Sequence, residues 1–436
     1  PSNSSAASDV YKRQVEYIDL ELTLPTEIQY NVLNNKGFTK IIGSHHDFDA
    51  AFSWDDGEWE NRFNQALSLD VDIVKFVGTA TSFEDNLALE RFRFAHTSKP
   101  LIAINMGQLG QVSRVLNTVL TPVTSSLLPS AAAPGQLTLR EINETYTSMG
   151  GIIPKDFYVI GKPIGHSRSP VLHNTGYEIL GLPHKFDKFE TDSIDEVKKQ
   201  LLDGKKNLGG LAVTIPLKLE IIPLMDQLTD AATVIGAVNT VIPLGNGKFR
   251  GDTTDWLGIR NSLISNGIPT TNTGIAGLVI GAGGTSRAAI YALHNLGCSK
   301  IFLINRTNSK LHDLKKTFPE DFNLSVIESN EDADKIQETI GVAVSCVPAD
   351  KPLDADLMSK LERCLTKTSN TKFVPTLLEA AYKPAFTPIM RLAKDKYQWQ
   401  TIPGAQMLVH QGVAQFEQWT GLSAPFKAIF DEVTKD

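Results

Sequence analysis

GLVIGAGGTSRAAIYALHNLG, residues 277–297, runs from an apolar strand through a glycine-rich turn into a helix. Strand, turn and helix in that order form the unit of a parallel α/β sheet. Glycines in GAGGTSRAA, 281–289, let the backbone approach a pyrophosphate, and the helix N-terminus stabilises its charge. The run alone is a weak signal, because Ser286 stands where a third glycine is usual. The next strand strengthens it. KIFLINRT ends in Asn305-Arg306-Thr307, with no Asp or Glu at the ribose position. An arginine there suits a 2′-phosphate, so the expected cofactor is NADP rather than NAD. The opposing reading of Arg306 is a surface arginine after a strand.

Ahead of this unit, from Val15 to about Gly151, apolar strands alternate with amphipathic helices. EYIDLEL precedes PTEIQYNVLNN, TKIIGSHHDF precedes ENRFNQALSL, and VDIVKFVG precedes FEDNLALERFRFAHT. KPLIAINMG then precedes QVSRVLNTV, and PVTSSLL precedes LTLREINETYTSM. About five parallel units follow from this pattern, whereas a closed (β/α)₈ barrel has eight. An open doubly wound sheet is the alternative. His45, His46, Lys75 and Asn105 cluster at strand C-termini, where barrel enzymes carry their chemistry, which favours an incomplete barrel. Lys75 lies inside the apolar run DIVKFVG, an unusual place for an ammonium group. A desolvated lysine is a nucleophile toward ketones, and a histidine on the adjacent strand suits proton abstraction beside the resulting iminium. The bland reading is a lysine that reaches water and a loop histidine.

Between these regions, DFYVIGKPIGHSRSP, KFDKFE, GGLAVTIPLK and NTVIPL outline a second α/β lobe. HSRSPVLHN, 166–174, reads as a helix start with Ser169 as N-cap and Pro170 first in the helix, a combination able to hold a carboxylate. VTIPLK puts Lys218 after a strand, and GDTTDW puts Asp255 at a polar turn. Hydride delivery to a ketone builds alkoxide charge, and a Lys–Asp pair can supply and orient the proton it needs.

Composition sets the outer limits. An apolar fraction of 42%, a charged fraction of 21% and a net charge of -7 fit an ordinary soluble globular protein and argue against general nucleic-acid binding. Cys298, Cys346 and Cys364 are scattered without metal-ligand spacing, which implies a reducing compartment, the cytoplasm, and no metal. No apolar run approaches the length of a membrane span. PSNSSAASDVYKRQ, 1–14, has no apolar period and is expected to be a disordered or non-native leader.

IDLEL, GSHHDF, DIVKFVG, INMGQLGQVSR and AAAPGQLT, in this order, closely resemble type I 3-dehydroquinate dehydratase. The resemblance implies Lys75 as the Schiff-base lysine, His46 as general acid/base, and Arg114 and Gln136 as substrate ligands. It also implies charged site residues on earlier strands, so Lys75 in five strands alone is expected to be solvated and this half inactive by itself. IGKPIGHSRSP, VTIPLK, IGAVNT, GDTTDW, GAGGTSRA, NRT and GAQMLVHQ resemble shikimate dehydrogenase. That implies Lys218 and Asp255 as the catalytic pair and Ser167, Ser169, Thr214, Asn239, Tyr382 and Gln411 around the substrate. Gly281, Ala282, Gly283, Gly284, Thr285, Ser286, Asn305, Arg306, Thr307 and Gly404 are implied around NADP. Ala212 departs from the usual Asn or Ser, and Thr253 from the usual Asn.

The expected architecture is α/β. An incomplete (β/α)₈ barrel of about the last five strands, 15–151, precedes a two-lobed shikimate dehydrogenase. Its substrate-binding domain spans 152–273, with TTNTG at 270–274 as hinge. A Rossmann NADP-binding domain spans 274–403, and C-terminal helices, 404–436, return to the substrate domain. This fusion, with LLEAAYKP and SCVPADKPL as further matches, resembles the C-terminal part of the fungal pentafunctional arom family. The resemblance implies 3-dehydroquinate, 3-dehydroshikimate and shikimate as substrates, and a homodimer of the full-length protein. A non-catalytic regulator of quinate use built from the same domains is the alternative, but it should have lost Lys75, His46, Lys218 and Asp255.

Overall fold

Strand order separates three sheets in the computed structural model, which describes residues 15–270, 274–349, 353–368 and 373–435. The leader and residues 271–273 of the hinge stretch lie outside the described residues. Two compact units divide the chain. One contains residues up to Ile153 with Leu180–Leu182, and the other contains the remainder. Among the described residues, no helix is long and apolar enough to cross a membrane.

The first unit holds β1 (Tyr17–Glu21), β2 (Lys40–His46), β3 (Ile73–Thr79) and β4 (Leu101–Met106), paired in that order and all parallel. Neighbours in space are neighbours in sequence, as in a barrel; a doubly wound sheet would reverse direction part-way. The expected fifth strand, PVTSSLL, is instead a single parallel bridge between Thr124 and Thr138. Pro122 offers no N–H to a ladder, and Val123, Leu127 and Leu128 are exposed, so no buried face stabilises a strand there.

Strand alternation sorts the side chains. Leu20 of β1 and Leu22 just after it, Ile41 of β2, and Val74 and Phe76 of β3 pack with Trp59, Phe63 and Phe92 of the covering helices. Asp19, Glu21, His46 and Lys75 therefore point to the other face. There Val77, Ile104 and Met106 form a small apolar floor. Adjacent His45 goes to the helix side, stacked 5.3 Å from the Phe52 ring.

The second unit contains two six-stranded sheets. One is ordered β6 (Lys185–Glu190), β5 (Asp156–Gly161), β7 (Leu208–Val213), β9 (Thr240–Gly245), β10 (Lys248–Asp252) and β8 (Gln227–Leu228). The other runs β13 (Leu324–Val326), β12 (Lys300–Ile304), β11 (Ala276–Ile280), β14 (Ile340–Ser345), β15 (Thr376–Glu379) and β16 (Gln400–Ile402), all parallel. Its direction reverses between β11 and β14, the doubly wound arrangement whose ligand crevice opens at that point. Both faces are covered: Val279 of β11 joins one core cluster and Leu278 and Ile280 the other.

The Gly404–Thr420 helix returns to the first of these sheets and packs on the Asp255–Ser265 helix. It also meets the Ser169–Leu180 helix so closely that a Cβ on Gly412 would lie 2.4 Å from a Leu172 methyl carbon. Gly412→Val should therefore overpack this contact and destabilise the second unit by about 1–3 kcal/mol. Chemical denaturation checks this, and an unchanged midpoint would mean that Leu172 has room to turn away.

Candidate active sites

On the open face of the first sheet, Lys75 Nζ lies 2.5 Å from Asp19 Oδ2, and the lysine side chain is 17% exposed. The expectation of a solvated lysine is not met, because a carboxylate two strands away covers it. Register explains which histidine joins it. Lys75 is opposite Ser44, so His46 is its diagonal neighbour on the same face. His46 Nδ1 lies 2.7 Å from Glu21 Oε2, which orients the ring and leaves Nε2 for chemistry, and Phe48 stacks 5.7 Å away. In His45, burial first, then the charge of Arg62, push the imidazolium pKa down.

Arg114, on the short Gln111–Leu116 helix, is buried and its pKa is lowered by desolvation. Its Nη2 donates to the Pro134 carbonyl at 3.5 Å, while Nε and Nη1 find no hydrogen-bond partner among the described residues. A buried guanidinium in that condition suits a carboxylate. Gln136 turns its carbonyl into its own loop, accepting from Ala132 and Ala133 N–H at 2.9 and 3.3 Å. Asp19 and Glu21 were missed in the sequence. Their signal was the alternation in IDLEL, which puts two acids on one face of an apolar strand.

In the second unit, Ser167, Ser169, Thr214, Lys218, Asn239, Asp255, Tyr382, Gly404 and Gln411 line one cavity of about 180 Å³. Lys218 Nζ and Asp255 Oδ2 are 2.5 Å apart. Asn239 Nδ2 donates to Asp255 Oδ1 at 2.9 Å and to Thr254 Oγ1 at 3.1 Å, while its Oδ1 accepts from Thr254 N–H at 2.7 Å. Asn239 therefore holds the acidic turn as well as lining the cavity. Asp252 fixes the other side of the turn, accepting from Thr253 N–H at 2.8 Å and from Gln418 Nε2 at 2.7 Å.

The helix begins at Ser169, one residue earlier than expected, and Ser167 Oγ accepts from the Ser169 N–H at 3.3 Å. Burial raises the Tyr382 pKa, so its hydroxyl stays protonated. Ala212 contributes an apolar patch of wall, and Thr253 is buried in the turn. His166, Met407 and Gln415 also line the cavity and were not singled out in the sequence.

At the β11–β14 reversal, Gly281, Ala282, Gly283, Asn305, Arg306 and Thr307 line a crevice of about 440 Å³. Gly281 has φ +118°, and a Cβ there would meet the Cys346 carbonyl oxygen at 3.1 Å, so the turn requires glycine. Ser286 faces inward instead, its hydroxyl accepting from the Gly283 N–H at 3.2 Å and bracing the turn. Gly284 and Thr285 line a neighbouring cavity of about 690 Å³ that shares Ala282, Gly283 and Lys310 with the crevice. It also shares Thr214 and Lys218 with the smaller cavity, so the three lie side by side. Lys310, one turn beyond Arg306, is a second cation that sequence reasoning passed over.

Comparison with known proteins agrees with this layout. The family described as Type I 3-dehydroquinase matches residues 3–153. The shikimate dehydrogenase substrate binding domain matches 159–241, Shikimate / quinate 5-dehydrogenase 270–374, and the shikimate 5'-dehydrogenase C-terminal domain 404–430. The Pentafunctional AROM polypeptide of Saccharomyces cerevisiae (strain ATCC 204508 / S288c) is 71% identical over 425 residues, which is 98% of this chain and 27% of that protein. The chain thus spans about a quarter of the length of the curated relatives it matches. A solved structure of dehydroquinate dehydratase and shikimate dehydrogenase from S. pombe AroM is 42% identical with a TM-score of 0.86, covering all of this chain and 83% of that one. Shikimate 5-dehydrogenase from Thermus thermophilus, solved with NADP(H) and shikimate, is 27% identical with a TM-score of 0.53, covering 64% of this chain and 98% of that one. The chain therefore belongs to the AROM family, carrying that family's type I 3-dehydroquinase and shikimate dehydrogenase domains in sequence.

Proposed function

We propose that the second unit reduces 3-dehydroshikimate to shikimate with NADPH in the shikimate pathway. The observation that carries this is the Lys218–Asp255 pair in a cavity that adjoins, through the shared residues Thr214 and Lys218, one lined by the Ala282–Thr285 turn. The crevice fits the dinucleotide, since its turn disfavours a Cβ at Gly281, and Arg306 and Lys310, which line it, are the cations that would hold a 2′-phosphate. NADPH supplies the hydride. As the carbonyl carbon accepts it, the oxygen gains negative charge and takes a proton from the Lys218 ammonium, which Asp255 orients. Ser167, Ser169, Thr214, Asn239 and Gln411 offer the hydrogen bonds that a carboxylate and ring hydroxyls need, with Tyr382 beside them.

The first unit we read as the dehydratase domain. Within a complete barrel, Lys75 is the residue to form the Schiff base with 3-dehydroquinate, and His46, oriented by Glu21, to move the proton. Arg114 and Gln136 bind the substrate. The three cysteines are free thiols, which supports a cytoplasmic setting, and the full-length polypeptide is read as a homodimer.

Lys218→Ala and Asp255→Ala should each lower kcat by about 10²–10⁴-fold in an NADP-linked assay with shikimate. NADP binding should persist, and mutants that keep most of the wild-type rate would remove the pair from the mechanism. Arg306→Ala should weaken NADP by the loss of charge-assisted hydrogen bonds worth about 1.5–3 kcal/mol each, leaving NAD nearly unaffected. Equal losses with both cofactors would make Arg306 structural.

Among the described residues of the first unit four barrel strands are paired, whereas a barrel site needs all eight. Incubating the chain with 3-dehydroquinate and borohydride should give little adduct at Lys75 by mass, while shikimate oxidation in the same preparation proceeds. Efficient trapping together with normal dehydration would sink this reading.

A further inference from the structure

Lys360 sits on the Ala355–Leu365 helix with no exposed surface. Lysines are almost never fully buried unless they are paired or put to use, and a linear apolar side chain would fill the same space without desolvating a charge. Its Nζ lies 2.9 Å from Asp356 Oδ2, one turn back on the same helix. Beyond that contact it donates to two backbone carbonyls, Asn305 at 3.4 Å and Glu328 at 3.3 Å. Neither bond is short, but both acceptors are placed where the crevice is built.

Asn305 is the first residue of the turn that presents Arg306 and Thr307. The Glu328 carbonyl also accepts from Asn308 Nδ2, at 3.2 Å, at the far end of the same turn. Asn305 Nδ2 closes the turn internally on the Thr307 carbonyl at 3.1 Å. One ammonium therefore grips the turn directly at Asn305 and, through the shared Glu328 oxygen, at Asn308. Leu357, one turn before Lys360 on its helix, lines the crevice itself.

We propose that Lys360 is a positioning residue for the 2′-phosphate end of the dinucleotide site, fixing both ends of the 305–308 turn so that Arg306 and Thr307 meet the phosphate in a set geometry. This rests on the NADP reading above. An arginine on an untethered turn would have to order itself on binding, and that ordering weakens affinity. The part of the ligand that does not touch the turn should be indifferent to Lys360.

Calorimetric titration of the full chain with 2′,5′-ADP and with 5′-AMP separates these effects, since the two ligands differ only in the 2′-phosphate. Lys360→Met should weaken 2′,5′-ADP about tenfold and 5′-AMP less than twofold. With shikimate and saturating NADP, kcat should hold while KM for NADP rises. Asn308→Ala cuts the far tether without touching the buried charge. It should give a smaller loss of the same kind, about threefold, and it stands as the test should Lys360→Met fail to fold. Equal weakening of both ligands, or of neither, would overturn the proposal and make Lys360 a packing residue. Wild-type chain that binds 2′,5′-ADP no more tightly than 5′-AMP would overturn the NADP reading, and this proposal with it.

Discussion

The contact between Lys218 and Asp255 sets the demands that the second unit must meet. Two charges largely shielded from water gain from each other only if their remaining donors and acceptors are satisfied. Asp255 opens a helix, where the free N–H groups and the dipole favour its charge. Its second oxygen is held by Asn239, and Asn239 is in turn pinned by the Thr254 N–H and by Thr240. Asp252 braces the strand side of the turn through the Thr229 hydroxyl and Gln418. The site is thus a polar network threaded through an apolar lobe, and strand ends, a helix start and the returning C-terminal helix each supply one anchor.

Two winding rules operate in one chain. In the first unit, sequential parallel neighbours keep their direction, so the reactive side chains of β1 to β3 share one face by alternation alone. In the sheet of β11 to β16, direction reverses beside β11, and chemistry gathers at the reversal rather than on a face. Both put reactive groups at the carboxyl ends of strands. His46 ends β2, and the Gly281–Gly284 turn follows β11.

Much of this was legible in the sequence because local signals and global fold agree. The apolar run before GAGG, the arginine after KIFLI and the serine-proline helix start each carry their meaning within ten residues. PVTSSLL misled because its composition satisfies a strand while its environment offers no face to bury. Asp19 and Glu21 were readable from alternation, but their partners, Lys75 and His46, come from register, which a single sequence does not state. Lys360 was invisible for the opposite reason. Inside an otherwise amphipathic helix, a lysine looks like a solvated residue until three elements converge on its ammonium. Ser286, taken for a ligand of the cofactor, is internal scaffolding of the turn, a role that its place in the motif does not distinguish from binding.

The Gly404–Thr420 helix carries a consequence for how the protein is made. Gln411 and Gln415 bond to Asn239 and Thr240, residues more than 170 positions earlier in the chain. Contacts of such separation close late, after the intervening doubly wound sheet has formed. At roughly 5–20 residues per second, a ribosome takes on the order of 10–35 s to travel from one side of this contact to the other. For most of that interval Lys218 and Asp255 have both been synthesised, while the segment that completes the wall around them has not. The wall of this cavity therefore stays unfinished until the Gly404–Thr420 helix has been made, and stalling shortly before residue 404 would yield two sheets without it.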